Sequence, residues 1–275
     1  MNKEDLVSVI MPTYNAGKYL ADSINSILNQ SYKNLELLIT DAASTDPTTL
    51  QLLQEFASKD NRVDILYLKE NHGAGYARNQ SIERAKGRYI AFCDSDDRWT
   101  TDKLEKQIAF MNKKKCALSC ASYIIFDGET QNEIGFCTAP KKITYGMMKR
   151  DNKVGCLTAI YDVQMLGRKF FMPTIRKRQD WALFLQIIRE CKVCYAYPEK
   201  PLAYYCMRRN SISSNKMSLM KYNIAVYKEI LGFHPIKANL YFFTLFLPTY
   251  GAKIMKRKFD SYTFTHQKIR LSFFI

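Results

Sequence analysis

Residues 71–99 read NHGAGYARNQSIERAKGRYIAFCDSDDRW, and this stretch decides the fold class. Its middle part has apolar residues at helical spacing: Ala74, Ala77, Ile82 and Ala85. The β-rich run Arg88–Cys93 follows, and three carboxylates, Asp94, Asp96 and Asp97, come directly after it. A helix that leads into an apolar strand is typical of β-α-β units, which build a parallel sheet flanked by helices.

The same alternation extends toward the N-terminus. Earlier β-rich runs are Val7–Met11, Leu35–Thr40 and Val63–Lys69, and helical patterns lie between them. Nearly continuous apolar strands predict a sheet that is covered on both faces. In such sheets ligands bind beyond the carboxyl ends of the strands, so the residues that end each run are the first candidates for a site.

Toward the C-terminus the pattern is looser. We predict further strands at Ala117–Phe126, Val154–Tyr161, Val193–Tyr197 and Leu202–Tyr205, a helix at Trp181–Glu190, and a helical tail from Lys216. The tail contains the aromatic run Tyr241–Phe243 and the basic cluster Lys256–Lys258. Two interpretations of this tail stay open: it lies on a membrane surface, or it packs on the core.

The net charge of +15 over 275 residues is unevenly distributed. Residues 1–140 carry 16 Lys/Arg and 19 Asp/Glu (−3), and residues 141–275 carry 25 and 7 (+18). The basic part is expected to meet something anionic: nucleic acid, a phosphate-bearing substrate or an acidic membrane. Without a signal peptide or an apolar stretch of about 18 residues, the sequence predicts a cytoplasmic protein with eight reduced cysteines, including the Cys191/Cys194 pair.

Three acids within four residues repel one another unless a cation compensates their charge. Mg²⁺ and Mn²⁺ prefer oxygen ligands, commonly one or two carboxylates together with substrate phosphates. The segment Asp94–Asp97 therefore predicts half of a metal–diphosphate site. The alternative is a solvated turn that caps the next helix, a role for which Asp102 is also placed.

Other predicted strands also end in polar residues. The first ends in Pro12-Thr13-Tyr14-Asn15, where Asn15 is suited to cap a helix, and the second ends at Asp41. After the third, Gly73 and Gly75 at a helix start could bring backbone amides to a phosphate that Arg78 pairs with. This is not a dinucleotide-binding fingerprint, which follows the first strand and has a third glycine.

Four segments together resemble one known family: SVIMPTYNAGKYL (8–20), DAASTD (41–46), the stretch 71–99 and DKLEKQ (102–107). In order and spacing they are similar to the nucleotide-binding half of the family 2 glycosyltransferases, which are inverting enzymes of the GT-A fold. The resemblance implies an α/β fold of GT-A type, with a Rossmann-like, mostly parallel central sheet flanked by helices. It implies a nucleotide-sugar-binding part (1–115), an acceptor-binding and catalytic part (116–215) and a basic helical tail (216–275).

The resemblance also implies roles for individual residues. Donor-binding residues would be Pro12, Thr13, Tyr14, Asn15, Asp41, Arg78, Asp94, Ser95, Asp96 and Arg208, and a divalent cation, Mn²⁺ or Mg²⁺, would be held by Asp96 and Asp97. Within this set Pro12, Tyr14 and Asp41 would contact the nucleoside, and Arg78 would lie against base or phosphate. Since Ala42 stands where the family often has a second acid, contact with the base rests on Asp41.

A second resemblance lies downstream. The segment Arg178–Trp181 resembles the family's acidic pair before an aromatic residue, which makes Asp180 the implied general base, although Gln179 replaces a common Glu. From the residues alone, Asp180 could instead be an acid favoured by the helix dipole. Arg208, Arg209 and residues 211–214 resemble the C-terminal signature that closes over the diphosphate.

The implied activity is hexosyl transfer (EC class 2.4) with inversion, from a nucleotide diphosphate sugar, expected to be a UDP-sugar, to a lipid-linked saccharide. The resemblance is to enzymes of bacterial surface polysaccharide biosynthesis, including O-antigen lipopolysaccharide, capsule and exopolysaccharide, which act at the inner face of the membrane. A nucleotidyltransferase, an inactive nucleotide-binding homologue and a nucleic-acid-binding protein remain alternatives. Against the last, the chain has no aromatic-basic module of a known type, and its nucleotide-binding part is negative.

Overall fold

We describe a computed structural model of the chain over residues 5–208 and 216–272, with side chains from 220 to 265 in the second range. The strands are β1 (Val7–Thr13), β2 (Leu35–Asp41), β3 (Val63–Tyr67), β4 (Tyr89–Phe92), β5 (Arg98–Trp99), β6 (Leu118–Ala121), β7 (Tyr123–Asp127), β8 (Glu133–Cys137), β9 (Lys142–Thr144), β10 (Ile160–Asp162), β11 (Val193–Tyr197) and β12 (Ala203–Met207).

The helices are α1 (Tyr19–Leu28), α2 (Pro47–Lys59), α3 (Ala74–Arg84), α4 (Lys103–Lys114), α5 (Tyr145–Arg150), α6 (Val163–Leu166), α7 (Gln179–Cys191), α8 (Lys216–Ala225), α9 (Pro235–Tyr241) and α10 (Leu247–Ser272). A 3₁₀ turn covers Cys156–Thr158, and π-helical turns cover Val226–Ile230 and Phe242–Phe246.

The central sheet has eight strands in the order β3-β2-β1-β4-β10-β6-β11-β9. The first four are mutually parallel, β10 runs antiparallel to both of its neighbours, and β11 is parallel to β6. A second sheet has the order β5-β12-β7-β8. The predicted α/β fold with a mostly parallel central sheet is confirmed.

Alternate residues of β1 face opposite sides of the sheet. Ile10 joins a core with α7, whereas Val9 and Met11 join a second core with α1 and α4. All seven residues of β1 are buried, as expected for a strand with helices on both faces. Because β1, β2 and β4 are parallel, their carboxyl ends lie at one edge of this sheet.

Two strand predictions are wrong in detail. The run 117–126 is interrupted at Ser122, so that β6 belongs to the central sheet and β7 to the second one. The Ser122 hydroxyl accepts a hydrogen bond from the Ala139 amide and its carbonyl accepts one from the Leu202 amide, which fixes the chain where it changes sheets. The predicted strand 154–161 is a 3₁₀ turn followed by β10.

The two predicted helix caps are also wrong. The helix α1 starts after Lys18, which provides no side-chain cap, and Asn15 bonds instead to the loop after β2. Asp102 precedes α4, but its carboxylate accepts hydrogen bonds from Thr100 and Lys200 and caps nothing. Asp46 does cap α2, by accepting from the Thr49 amide at 2.8 Å.

The tail from Lys216 is helical, and α9, a π-helical turn and α10 follow one another without a break. Phe242 and Phe246 are buried, and the ring of Phe246 lies 5.5 Å from that of Trp181 in α7. The tail therefore packs on the core along one side. Within the described ranges, each helix is too short or too polar to cross a bilayer.

Candidate active site

The acidic turn, Asp94–Asp97, lies directly after β4, as the sequence predicts. It is closed by a hydrogen bond from the Asp97 amide to the Asp94 carbonyl (3.1 Å). The Asp97 side chain is 3% exposed, and its Oδ1 accepts a hydrogen bond from the backbone amide of Cys206 in β12 at 2.8 Å. A backbone amide of the second sheet therefore fixes the position of one oxygen of the Asp97 carboxylate.

The other two acids of the turn pair with arginines. A guanidinium nitrogen of Arg78 in α3 lies 2.5 Å from Asp94 Oδ1, and Arg208, which follows β12, pairs with Asp96. Arg78 is 9% exposed, whereas the Arg208 side chain is 39% exposed. Two cations from different parts of the chain therefore offset the repulsion among the three acids.

Even with these partners the turn is electrostatically strained. Burial, followed by the Asp94 charge, raises the pKa of Asp96, and burial, followed by Asp96 and Asp94, raises the pKa of Asp97 well above its usual value. Burial is the largest single influence on Arg78 and lowers its pKa, but the charges of Asp94, Cys156 and Asp180 and the hydrogen bond to Asp94 together outweigh it, so the pKa of Arg78 is raised. A further cation would stabilise the ionised forms of Asp96 and Asp97.

The ends of β1 and β2 are joined by hydrogen bonds. Asn15, whose φ is +45°, accepts on Oδ1 from the amides of Thr45 and Asp46, at 2.9 and 3.0 Å. Asp41 is 1% exposed and accepts from the amide and hydroxyl of Ser44, at 2.9 and 2.5 Å. Asn15 is exposed at this edge, whereas Asp41 is buried within it, and both side chains fix the loop after β2.

The other residues predicted at this edge differ in exposure. Pro12 and Thr13 are buried, Tyr14 is 51% exposed, and Ser95 is partly exposed. Thr13 Oγ1 and Arg78 Nε are buried without a hydrogen-bond partner in the described part of the chain. Unsatisfied buried polar atoms are rare and indicate that a ligand or ordered water completes the edge.

The predicted base, Asp180, lies in the first turn of α7. Its Oδ2 accepts a hydrogen bond from Asn152 Nδ2 at 2.7 Å. Its charge contributes to the raised pKa of Arg78, and Asp180, Asp94 and Asp97 all contribute to the raised pKa of Cys156, for which burial is the larger cause. Asp180 and the acidic turn therefore lie within electrostatic reach of the same two residues, Arg78 and Cys156.

Several contacts hold the start of α7 in place. The Gln179 side chain lies directly against Gly75 of α3, where a Cβ would overlap it. Asn79 exchanges two hydrogen bonds with the backbone of Met172 (2.8 and 2.7 Å), and Trp181 Nε1 donates to the Met148 carbonyl at 2.6 Å. A Cβ at position 75 would therefore force the end of the Gln179 side chain to move, and the close approach of Gly75 and Gln179 connects α3 to the start of α7.

Some residues of the candidate site are not predicted from the sequence. Tyr19 lies beneath Arg208, with 5.3 Å between the guanidinium carbon and the ring centre, and its hydroxyl donates to Glu129. Asn152 holds Asp180 from a loop without periodicity, so no sequence signal identifies it. Arg209 and residues 211–214, which carry part of the resemblance, lie outside the described residues.

The donor set at the acidic turn suits a hard cation, although residues 5–208 and 216–272 contain no group of three metal-ligating side chains. Asp96 and Asp97 are both carboxylates, which is the ligand type that Mg²⁺ and Mn²⁺ prefer. Arg208 contacts one oxygen of Asp96, and the Cys206 amide donates to one oxygen of Asp97. Each carboxylate has a second oxygen that could bind a cation. Two such oxygens can serve a cation whose remaining ligands come from a diphosphate and water.

Comparison with known proteins identifies relatives over most of the chain. Residues 8–171 match the family model "Glycosyl transferase family 2". The putative teichuronic acid biosynthesis glycosyltransferase TuaG of Bacillus subtilis (strain 168) is 42% identical over 86% of this chain and 93% of its own length. The UDP-Glc:alpha-D-GlcNAc-diphosphoundecaprenol beta-1,3-glucosyltransferase WfgD of Escherichia coli is 38% identical, covering 78% and 83%.

Solved structures with this fold include S. aureus TarS 1–349 in complex with UDP-GlcNAc. Its TM-score is 0.64 and its identity 21%, over 86% of this chain and 70% of TarS 1–349. The mannosyltransferase PcManGT of Pyrobaculum calidifontis, in complex with GDP-Man and Mn²⁺, has a TM-score of 0.63 and 16% identity, over 99% and 81%. At these identities the likeness establishes the shared fold, and the relatives named here support neither a nucleotidyltransferase nor a nucleic-acid-binding protein.

Proposed function

This chain belongs to glycosyl transferase family 2, and from that premise we propose that it transfers a sugar, with inversion, from a UDP-sugar to a hydroxyl of a lipid-linked saccharide. The observation that carries the proposal is the arrangement around Arg78. This buried arginine pairs with Asp94 of the acidic turn and also interacts with Asp180 at the start of α7. A diphosphate-binding edge and a candidate base therefore share one region.

We assign donor binding to the edge formed by β1, β2 and β4, within residues 1–115. Tyr14 is exposed at this edge and can stack on the base, and the buried Asp41 is placed to receive the base once Ser44 yields a hydrogen bond. Thr13 Oγ1 and Arg78 Nε are the unsatisfied atoms that a donor would satisfy. Asp94, Ser95 and Asp96 would then contact ribose and diphosphate.

Asp96 and Asp97 would hold a divalent cation, Mn²⁺ or Mg²⁺, which supplies charge neutralisation for the departing diphosphate when it is bound. The chain's own contribution is to fix the two carboxylates. The Cys206 amide orients Asp97, and the partly exposed Arg208 can move from Asp96 to the diphosphate. That move would place the Arg208 guanidinium over the donor diphosphate and help to exclude water.

Asp180 is the proposed general base. It takes the proton of the acceptor hydroxyl while that oxygen forms a bond to the anomeric carbon, and the bond from that carbon to the diphosphate breaks on the opposite face. Asn152 holds one carboxylate oxygen, which leaves the other to accept the proton. The acceptor would bind between α7 and the part of the chain within residues 116–215.

The acceptor class is inferred from the relatives. WfgD is named as acting on a GlcNAc-diphosphoundecaprenol, and TuaG is named for teichuronic acid biosynthesis, so we place this chain in bacterial surface polysaccharide synthesis. The +18 charge of residues 141–275 suits a lipid diphosphate and anionic headgroups, which supports a peripheral position of the enzyme at the inner face of the membrane.

A thermal-shift screen of nucleotide sugars tests donor binding first. A bound ligand raises the melting temperature by mass action, so a UDP-sugar with Mn²⁺ should stabilise the chain, and neither component alone should do so to the same extent. The stabilising sugar is then supplied with a lipid-diphosphate-linked acceptor, and transfer is followed by mass spectrometry. Release of free pyrophosphate as the product would refute the proposal. It would also be refuted if every sugar nucleotide, with Mn²⁺ or Mg²⁺, left the melting temperature unchanged.

A further inference from the structure

The helical run of α9, the π-helical turn and α10 packs on the core along one side and exposes large apolar residues along another. We call the exposed set the apolar stripe: Ile236, Leu240, Phe243, Leu247, Met255, Phe259 and Tyr262. Its members are between 40% and 75% exposed and recur mostly every three or four residues, so they share one side of the helical run. An exposed stripe of this length on a helix is the signature of an interaction surface.

Within the aromatic run Tyr241–Phe243, neighbouring residues lie on opposite sides of the helix. Phe242 is 1% exposed and packs in the core with Phe246, whereas Phe243, the next residue, is 56% exposed. Further along, Ser261 donates its hydroxyl to, and accepts from, the backbone of Phe136, and Phe264 stacks on the Phe136 ring. The helix is thus anchored on one side, and the stripe is not needed to hold it.

Charge identifies the occupant. The stripe is bordered by a basic flank, Lys256 and Lys258, between Met255 and Phe259, and Lys237 follows Ile236. All three cations are exposed, and residues 216–275 contain 10 Lys/Arg and 2 Asp/Glu. A second copy of this chain would bring the same positive charge against the stripe. An anionic lipid surface supplies both an apolar boundary and opposite charge.

We propose that the apolar stripe docks the protein on an anionic membrane surface, with its apolar side chains at the headgroup–acyl boundary and the basic flank against lipid headgroups. A helix with an apolar face and Lys/Arg beside it lies in the plane of the interface in this way. The proposal deepens the membrane association assumed under the proposed function, but docking itself requires neither donor nor turnover.

Docking in this orientation would present the active site to a lipid-linked acceptor. On the anchored side of α10, Lys253 donates to the Asn152 carbonyl at 2.5 Å, and Asn152 is the residue that holds Asp180. Arg257, Lys258 and Tyr262 line an open cleft of about 410 Å³ together with Met207, which precedes Arg208. The helix α10, which carries part of the stripe, therefore contacts the residue that holds the base and lines a cleft with the neighbour of Arg208.

Flotation with vesicles tests the proposal with the full chain. The wild type should float with vesicles of phosphatidylcholine containing phosphatidylglycerol, and much less with phosphatidylcholine alone. Met255→Gln with Phe259→Gln should weaken partitioning about tenfold or more, because two large apolar side chains leave the interface. The matched control is Met165→Gln with Phe171→Gln, a second pair of exposed Met and Phe residues away from the stripe, which should float like the wild type.

The basic flank is tested in the same assay. Lys256→Gln with Lys258→Gln should weaken binding to the anionic vesicles by about tenfold and should reduce the salt dependence, whereas Lys106→Gln with Lys113→Gln on α4 should not. Circular dichroism and UDP-dependent thermal shift verify that every variant is folded. The proposal is overturned if the wild type does not float with anionic vesicles, or if the stripe variant floats equally well.

Self-association is the competing outcome. Sedimentation that shows a concentration-dependent dimer, lost in the Met255/Phe259 variant and accompanied by no flotation, would assign the stripe to a second copy and overturn membrane docking. Failure of the proposed function is distinguishable, because a chain that floats but transfers no sugar to any acceptor contradicts the activity alone. A chain that glycosylates a water-soluble acceptor without floating contradicts the docking alone.

Discussion

The acidic turn after β4 and Asp180 at the start of α7 bring carboxylates to the same region, but their surroundings differ. The turn is held by Arg78, Arg208 and the Cys206 amide, and its Asp97 is 3% exposed. Asp180 is partly exposed and is held by the Asn152 amide. The contrast suggests a division of labour, in which one group of acids is fixed to bind a cation and the other acid is left able to take a proton.

The largest loss is expected from Asp97→Asn. The amide keeps an oxygen for the Cys206 N–H but removes the charge that a cation requires, so metal-dependent transfer should fall about 10³-fold, a loss of about 4 kcal/mol of transition-state stabilisation. The measurement is kcat/KM with saturating Mn²⁺. The control is Asp102→Asn, since Asp102 pairs with Lys200 outside the turn and should change kcat/KM by less than about threefold.

Asp180→Asn tests the proposed general base at the start of α7. Removal of a general base should lower kcat by about 10²- to 10⁴-fold while the thermal shift given by UDP-sugar and Mn²⁺ stays the same. The matched control is Glu190→Gln near the far end of the same helix, where the acid pairs with Arg168 on the surface. Near-normal turnover in Asp180→Asn would refute the assignment of the base.

The two regions also differ in how far the sequence predicts them. β1 to β4 follow a regular alternation of apolar runs and helical spacing, and the site residues come at the strand ends, where backbone geometry alone brings Asp41 and Asp94 to one edge. The resemblance adds the order and spacing of four segments. For this half, local pattern and tertiary structure agree, and the predicted fold class is confirmed.

Beyond residue 115 the decisive contacts are long-range, and local pattern does not encode them. The interruption at Ser122 that moves the chain into the second sheet depends on partners at Ala139 and Leu202. Asn152 reaches Asp180 across 28 positions of sequence. Within the first 115 residues, too, one surface-type residue is wholly buried without a sequence signal: Lys103 is 0% exposed, and burial lowers its pKa to about 7.

Arg208→Gln should change the affinities for the cation and for the donor in opposite directions. Arg208 occupies an oxygen of Asp96 in the described structure, so its removal should strengthen binding of Mn²⁺ alone by a few fold, yet raise the KM for the UDP-sugar about tenfold because a diphosphate partner is lost. Calorimetry with Mn²⁺ and steady-state kinetics give the two numbers. Arg98→Gln, which removes a neighbouring surface arginine paired with Asp22, should move neither. A fall in both affinities would show that Arg208 does not compete with the cation.

The acidic turn should also make stability depend on pH in the absence of metal. Burial and the neighbouring charges of Asp96 and Asp94 raise the pKa of Asp97 well above the usual value of an aspartate, about 3.8, so the folded state holds a proton that the unfolded state has released. This contribution is fully present below about pH 3.8 and is lost as the pH rises through the raised pKa. In urea unfolding without metal, wild type should therefore lose stability relative to Asp97→Asn as the pH rises above about 3.8. Mn²⁺ with UDP should stabilise wild type more at pH 8 than at pH 5, and equal stabilisation at the two values would contradict the prediction.

Gln179→Glu carries the smallest expected effect and decides whether the replacement beside Asp180 marks an inactive homologue. The side chain at 179 lies against Gly75 at the start of α3, where a negative charge meets the favourable end of the helix dipole, so the fold should accept it. The contact between Asn152 and Asp180 is intact with Gln179 in place, so we expect Gln179 to be compatible with catalysis. In that case the kcat of Gln179→Glu should differ from that of the wild type by less than about threefold. Gln131→Glu, in the β7–β8 turn, is the control for added charge alone. A tenfold or greater gain with Gln179→Glu would mean that the natural chain is impaired at this position and that Asp180 needs a second acid to act as the base.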